Sequence, residues 1–156
     1  PPRLRVKKPP QGDAFGLSYR EFDVDGRAFA LPTSTPTQFD PEAMHDSIDR
    51  MLAMQPQAMY LTHYSRVTDV PRLGSDLHRL IDTMVAVARA ARGDGVTRHV
   101  EIVAGLEQVL REEAARQNWA LDEEQTLELL RMDIDLNAQG LGIWLDSQRA
   151  VEMQPA

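Results

Sequence analysis

At 156 residues the chain is long enough to bury a core of its own, and one domain is the natural expectation. Apolar residues make up 42% and charged residues 26%, an ordinary globular balance, and the lack of cysteine excludes disulfides and thiolate metal sites. The net charge of −7 argues against a nucleic-acid partner, and no run approaches the roughly 20 apolar residues of a membrane span, so neither partner is expected.

The charge is unevenly spread. Residues 1–12 hold Arg3, Arg5, Lys7 and Lys8 and no acid, whereas residues 101–156 hold 12 acids and 4 bases. Residues 1–11 contain two Pro-Pro pairs and read as a basic, Pro-rich mobile arm. The first residue is proline, as expected of a processed product or a piece of a longer protein. No secretory signal is visible, and the absence of cysteine fits a reducing cytoplasm, the expected location.

From Leu17 to Leu31 the pattern is that of a hairpin, with Asp25-Gly26 as its turn. Asp40-Pro41 opens a helix near 41–54, capped by Asp40 and stopped by Pro56. Ala58 to Thr62 reads as a short buried strand. Asp69 or Ser75 is placed to cap a helix near 70–92, whose stripe runs from Leu73 through Leu77, Leu80, Ile81 and Met84 to Ala88. Thr97 is expected to cap a third helix near 98–116, with Val100, Val103, Leu106, Val109 and Leu110 inward. Asp122 and Gln125 have the spacing of a capping box for a fourth helix near 123–138. Gly140 and Gly142 then interrupt, leaving a separate helical piece near 140–149. Residues 12–69 thus mix strands and a helix, and residues 70–150 form a helical C-terminal region able to pack as a bundle.

Two short motifs carry the chemistry. Leu61-Thr62-His63-Tyr64-Ser65-Arg66-Val67 brings a histidine to the end of the 58–62 strand, a usual way to present imidazole to a metal. About 50 residues earlier stands Gly12-Asp13-Ala14-Phe15-Gly16, an aspartate between glycines. With Phe15 to Asp23, Pro32-Thr33-Ser34-Thr35-Pro36, Gln38 to Pro41 and Asp135-Leu136-Asn137-Ala138-Gln139-Gly140-Leu141, these resemble a bacterial branch of the metallo-β-lactamase superfamily over roughly residues 12–146.

The resemblance implies the C-terminal half of an αββα metallo-β-lactamase-like fold in residues 12–69, followed by the helical region, an α+β chain dominated by helices. It implies a metal-dependent hydrolase in which zinc or iron ions activate water. Asp13 would be the bridging metal ligand and His63 a terminal one, with Tyr64 and Ser65 shaping the pocket. The family's His-x-His-x-Asp-His cluster and further histidine are absent here. The chain alone is therefore expected to be an inactive fragment that holds no cofactor, with any N-terminal half encoded upstream of Gly12. The alternative is a non-catalytic helical interaction or oligomerisation module descended from that family.

The other residues have plainer readings. His45, His78 and His99 fall on helices among charged neighbours and read as solvated surface residues. Met44, Met51, Met54, Met59 and Met84 read as core filler, and Trp119 and Trp144 as anchors between helices. Ser34 and Ser65 lack a paired base. Arg66 and Asp69 read as an ion pair at the helix entrance. A half-sandwich leaves a strand edge and an apolar sheet face uncovered, so self-association into a two-fold dimer is expected.

Overall fold

A computed structural model describes residues 13–34, 39–63 and 66–152. The basic arm 1–11, Gly12, residues 35–38, and Tyr64 and Ser65 lie outside the described residues.

The chain enters through a turn at residues 13–15. Leu17 and Leu31 then exchange backbone hydrogen bonds of 3.0 and 2.8 Å. Asp25 and Gly26 both have positive φ, 49° and 76°, the backbone of a type I′ hairpin turn. Val24 and Arg27 close it with bonds of 3.1 and 2.9 Å. The expected 17–31 hairpin is thus present as a turn and two bridges. It lacks a continuous ladder, because Arg20–Phe22 forms a 3₁₀ turn. That turn brings Phe22 against Trp119, ring centroids 4.2 Å apart, and edge-on to Phe29 at 6.1 Å.

Helix α1 is Pro41–Ala53. Asp40 Oδ1 accepts the Ala43 amide at 3.0 Å, so the expected cap is made. Strand β1 is Met59–Tyr60 and pairs antiparallel with β2, Arg66–Val67. The buried strand expected at 58–62 is two residues long, and Tyr60 is 80% exposed. Its partner is the short β2, and among the described residues no second layer covers Tyr60. Helix α2 is Val70–Ala90. Asp69 takes the N-cap position, its carbonyl accepting the Leu73 amide at 3.1 Å, but its side chain makes no cap bond, and Ser75 lies inside the helix. Asp69 sits in the left-handed region and binds Arg72 Nε at 2.7 Å, the ion pair it makes in place of the expected one with Arg66, while Ser75 Oγ donates to the Pro71 carbonyl.

Helix α3 is Gly95–Gln117, starting before Thr97, with Asp94 in the cap position but making no side-chain cap bond. Ile102, Leu106 and Leu110 are its buried apolar residues, and Val100, expected inward, is 59% exposed. Helix α4 is Glu123–Glu152. Its capping box forms reciprocally: Asp122 Oδ1 accepts the Gln125 amide at 2.8 Å, and Gln125 Oε1 accepts the Asp122 amide at 3.2 Å. Gly140 and Gly142 do not interrupt it. Two helical glycines cost about 1 kcal/mol each against alanine. Full burial of Leu141, with Trp144 and Leu145 beside it, outweighs that, at roughly 1.5–3 kcal/mol per large apolar side chain.

Helices α3 and α4 run antiparallel, since Arg98 pairs with Asp146 and Arg111 with Glu123. Helix α2 packs against α1, α3 and α4. Phe15, Leu17, Phe22, Phe29 and Leu31 share one core with Leu77, Leu80, Ile81, Leu130 and Leu141. The helix-dominated α+β expectation therefore holds. The apolar face expected to be uncovered is, among the described residues, covered by the chain's own helices. Of the methionines, Met44 and Met84 are buried and Met54 is 79% exposed, so Met54 is not core filler. Trp119 and Trp144 are buried, as expected of anchors. No helix among the described residues is long and apolar enough to cross a membrane.

Arg98 grips Asp146 with two bonds of 2.8 Å. These hydrogen bonds hold the Asp146 carboxyl below its ordinary value, against a smaller opposing effect of burial. A carboxyl lowered by folding stabilises the fold above its unfolded pKa, and that contribution is lost as pH falls through the lower folded value. Asp146→Asn is expected to flatten this part of the acid-unfolding profile by lowering stability at neutral pH, where it leaves the buried Arg98 guanidinium without its counter-charge. An acid titration followed by circular dichroism checks it.

Candidate functional site

A turn at residues 13–15 and a bend at residues 62–63 build the site. Asp13 opens a turn closed by the Gly16 amide on the Asp13 carbonyl at 2.9 Å. Gly16 has φ +74°, and the next residue, Leu17, is locked to Leu31. Thr33 Oγ1 also reaches the Asp13 carbonyl, at 3.5 Å. His63 lies in the bend at residues 62–63 that follows β1. The fold brings these two residues together, with His63 Nε2 3.9 Å from Asp13 Oδ2 and their side chains 54% and 30% exposed.

They line a cavity of about 280 Å³. Leu17, Met132 and Leu136 give it apolar walls, and Tyr19, Ser34, Asp133 and Asn137 give it polar ones. Tyr19 donates its hydroxyl to Asp133 Oδ2 at 2.7 Å. Asn137 is buried and ties the 32–34 segment to α4. Its Oδ1 accepts the Ser34 amide at 2.7 Å, and its Nδ2 donates to the Pro32 carbonyl at 3.1 Å. Ser34 Oγ is 2.8 Å from the Asn137 carbonyl, so this serine is a structural donor, consistent with its lack of a catalytic base.

At 3.9 Å the Asp13–His63 pair is too long for a direct hydrogen bond. Zinc bonds to imidazole nitrogen and carboxylate oxygen of about 2.0–2.2 Å would set two ligands of a tetrahedral ion roughly 3.3–3.6 Å apart, so the pair would have to close by a few tenths of an ångström to share one. Among the described residues no group of three or more histidine, aspartate or glutamate side chains is placed to hold a metal ion. A catalytic zinc needs about three protein ligands and a water, so the ligand set is incomplete within the described chain.

The other histidines stand elsewhere. His99 binds Asp135 at 2.8 Å, and His45 and His78 meet between α1 and α2. Their side chains are 26–32% exposed, so each is half-buried and partnered where a freely solvated ring was expected. The α4 contribution was not among the sequence candidates. Its signal is two polar residues one turn apart, Asp133 and Asn137, beside the buried stripe of Ile134, Ala138 and Leu141. No protein-family model, curated protein or solved structure matches the chain.

Proposed function

We propose that the chain carries the second half of a metallohydrolase site of the metallo-β-lactamase type, with Asp13 and His63 as metal ligands and α4 as a wall of the substrate cavity. The supporting observation is that two residues 50 positions apart, each singled out by its own motif, meet 3.9 Å from one another at a cavity. The αββα sandwich is part of this proposal, as are zinc or iron as the metals. So is a requirement for further ligands, from a segment outside this sequence or from a second copy. Alone, the chain is inactive and retains no stoichiometric metal. Self-association belongs to the same reading, as one way of completing the site, with light scattering as its measurement.

Zinc titration followed by nuclear magnetic resonance of the His63 ring tests the half-site. Weak perturbation of His63 that disappears in Asp13→Asn, with no zinc retained after dialysis, is the expected result. If Asp13→Asn leaves the His63 response unchanged, the pair is not a metal half-site. The second reading then gains, a non-catalytic helical interaction module, which the lack of a His-x-His-x-Asp-His cluster in the sequence favours for the chain by itself.

A further inference from the structure

Helices α1 and α2 each carry a His-x-x-x-Asp spacing, His45/Asp49 and His78/Asp82. Residues four apart share a helix face. The two helices run antiparallel here, so the pairs engage crosswise. His45 Nε2 lies 3.0 Å from Asp82 Oδ1, and His78 Nε2 lies 3.0 Å from Asp49 Oδ1. An ionised carboxylate only accepts hydrogen bonds. Both Nε2 atoms therefore carry their protons, and both Nδ1 atoms are left to each other.

Those Nδ1 atoms are 2.5 Å apart. The ring planes differ by only 15°, and the centroids are 4.8 Å apart, hardly more than the nitrogen gap plus the two ring radii. The rings thus meet edge to edge in nearly one plane, nitrogen facing nitrogen. Two neutral rings in these tautomers would aim lone pair at lone pair, so the arrangement calls for a cation between them. A proton is the smallest. A metal ion is the other, and histidines that bind metals characteristically donate the far ring N–H to a carboxylate. That pattern occurs here twice, once from each helix to the other.

We propose that His45 and His78 form a two-nitrogen site for a late first-row transition-metal ion, with Cu²⁺ the tightest bound. Imidazole suits copper, zinc and nickel, and affinity in such sites peaks at copper. The two nitrogens occupy opposite positions around the ion, and water fills the rest. Opening the gap to about 4 Å, twice a metal–imidazole bond of about 2.0 Å, admits the ion. Side-chain exposures of 26% and 27% leave the rings reachable from solvent. Asp82 and Asp49 are positioning residues that fix the tautomers. The ion displaces the shared proton, so binding strengthens as pH rises. This site shares no residue with the Asp13–His63 cavity and stands whether or not that reading does.

Calorimetric titration of the full chain with Cu²⁺, Ni²⁺ and Zn²⁺, with electron paramagnetic resonance of the copper form, tests the site. The expected result is one Cu²⁺ per chain, bound more tightly than Ni²⁺ or Zn²⁺, with splitting from two imidazole nitrogens. His45→Gln and His78→Gln, which keep hydrogen-bonding groups and so protect the fold, are each expected to abolish the two-nitrogen signal. Asp49→Asn and Asp82→Asn are expected to weaken copper about 10–100-fold while keeping that signal, a split that a purely structural role would not produce. His63→Ala is expected to change nothing. Copper binding that survives the His45→Gln/His78→Gln double variant, or that is lost in His63→Ala, would overturn the proposal. So would the absence of one-to-one copper binding by the folded wild-type chain, which would leave the pair as a shared-proton contact only.

Discussion

Gly16→Ala is expected to destabilise the protein by roughly 3 kcal/mol. Two independent effects add. The backbone at φ +74° is left-handed, which costs a residue with a Cβ about 1–2 kcal/mol. A Cβ at this position would also lie 2.5 Å from the Leu31 carbonyl oxygen and 3.1 Å from Leu77 Cδ2. Backbone cannot yield cheaply there, and such overpacking costs about 1–3 kcal/mol. The yielding element would be the Leu17–Leu31 bridge, and with it the turn that holds Asp13. Gly26→Ala is the control. It has nearly the same φ, +76°, but nothing within 4 Å of its would-be Cβ, so only the backbone cost of about 1–2 kcal/mol is expected. Urea unfolding of the two variants separates the effects, and equal losses would sink the steric part of the argument. The His63 ring resonance should shift in Gly16→Ala and stay put in Gly26→Ala.

What could be read from the sequence was what depends on near neighbours. The Asp40 cap, the Asp122/Gln125 box and the Asp25-Gly26 turn each involve residues within three or four positions, and all three form. Of the residues that misled, Asp69 and Ser75 were taken by Arg72 and Pro71 three and four positions away, and the others were decided by distant partners. Gly140 and Gly142 read as an interruption because propensity is local, whereas Leu141 and Trp144 hold α4 together by burial. Ala58 to Thr62 read as a buried strand because its residues are apolar, yet Tyr60 is 80% exposed. The site divides in the same way. Asp13 and His63 were recognisable by residue type and motif, but their proximity is a property of the fold. Asn137 contributes by gripping Ser34 across 103 positions, a pairing that no local pattern announces. The meeting of His45 and His78 is of the same kind, since each helix alone shows only a charged face.

Arg79→Met is expected to cost about 3 kcal/mol, because it strands a carboxylate inside the fold. Glu113 is 2% exposed and lies on the inward side of α3, three residues after Leu110. Arg79 on α2 donates to both of its oxygens, at 2.9 and 2.8 Å. Gln117 adds a bond of 2.7 Å, and Arg116 stands at 3.7 Å. The hydrogen bond to Glu113 raises the Arg79 pKa, with burial opposing it. Breaking a buried pair by removing one partner costs about 3–5 kcal/mol, since the remaining charge is left without its counterpart. The lower end applies here because Gln117 still serves one oxygen and Arg79 itself is 33% exposed. Replacing both partners by apolar residues of similar size removes the charge along with its counterpart and is often close to neutral. Arg79→Met/Glu113→Leu is therefore expected to recover most of the loss. A double-mutant cycle in urea measures the coupling. If Arg79→Met alone costs no more than an ordinary exposed pair, about 0–1 kcal/mol, the carboxylate is finding water that this packing does not provide, and α3 is looser against α2 than the fold shows.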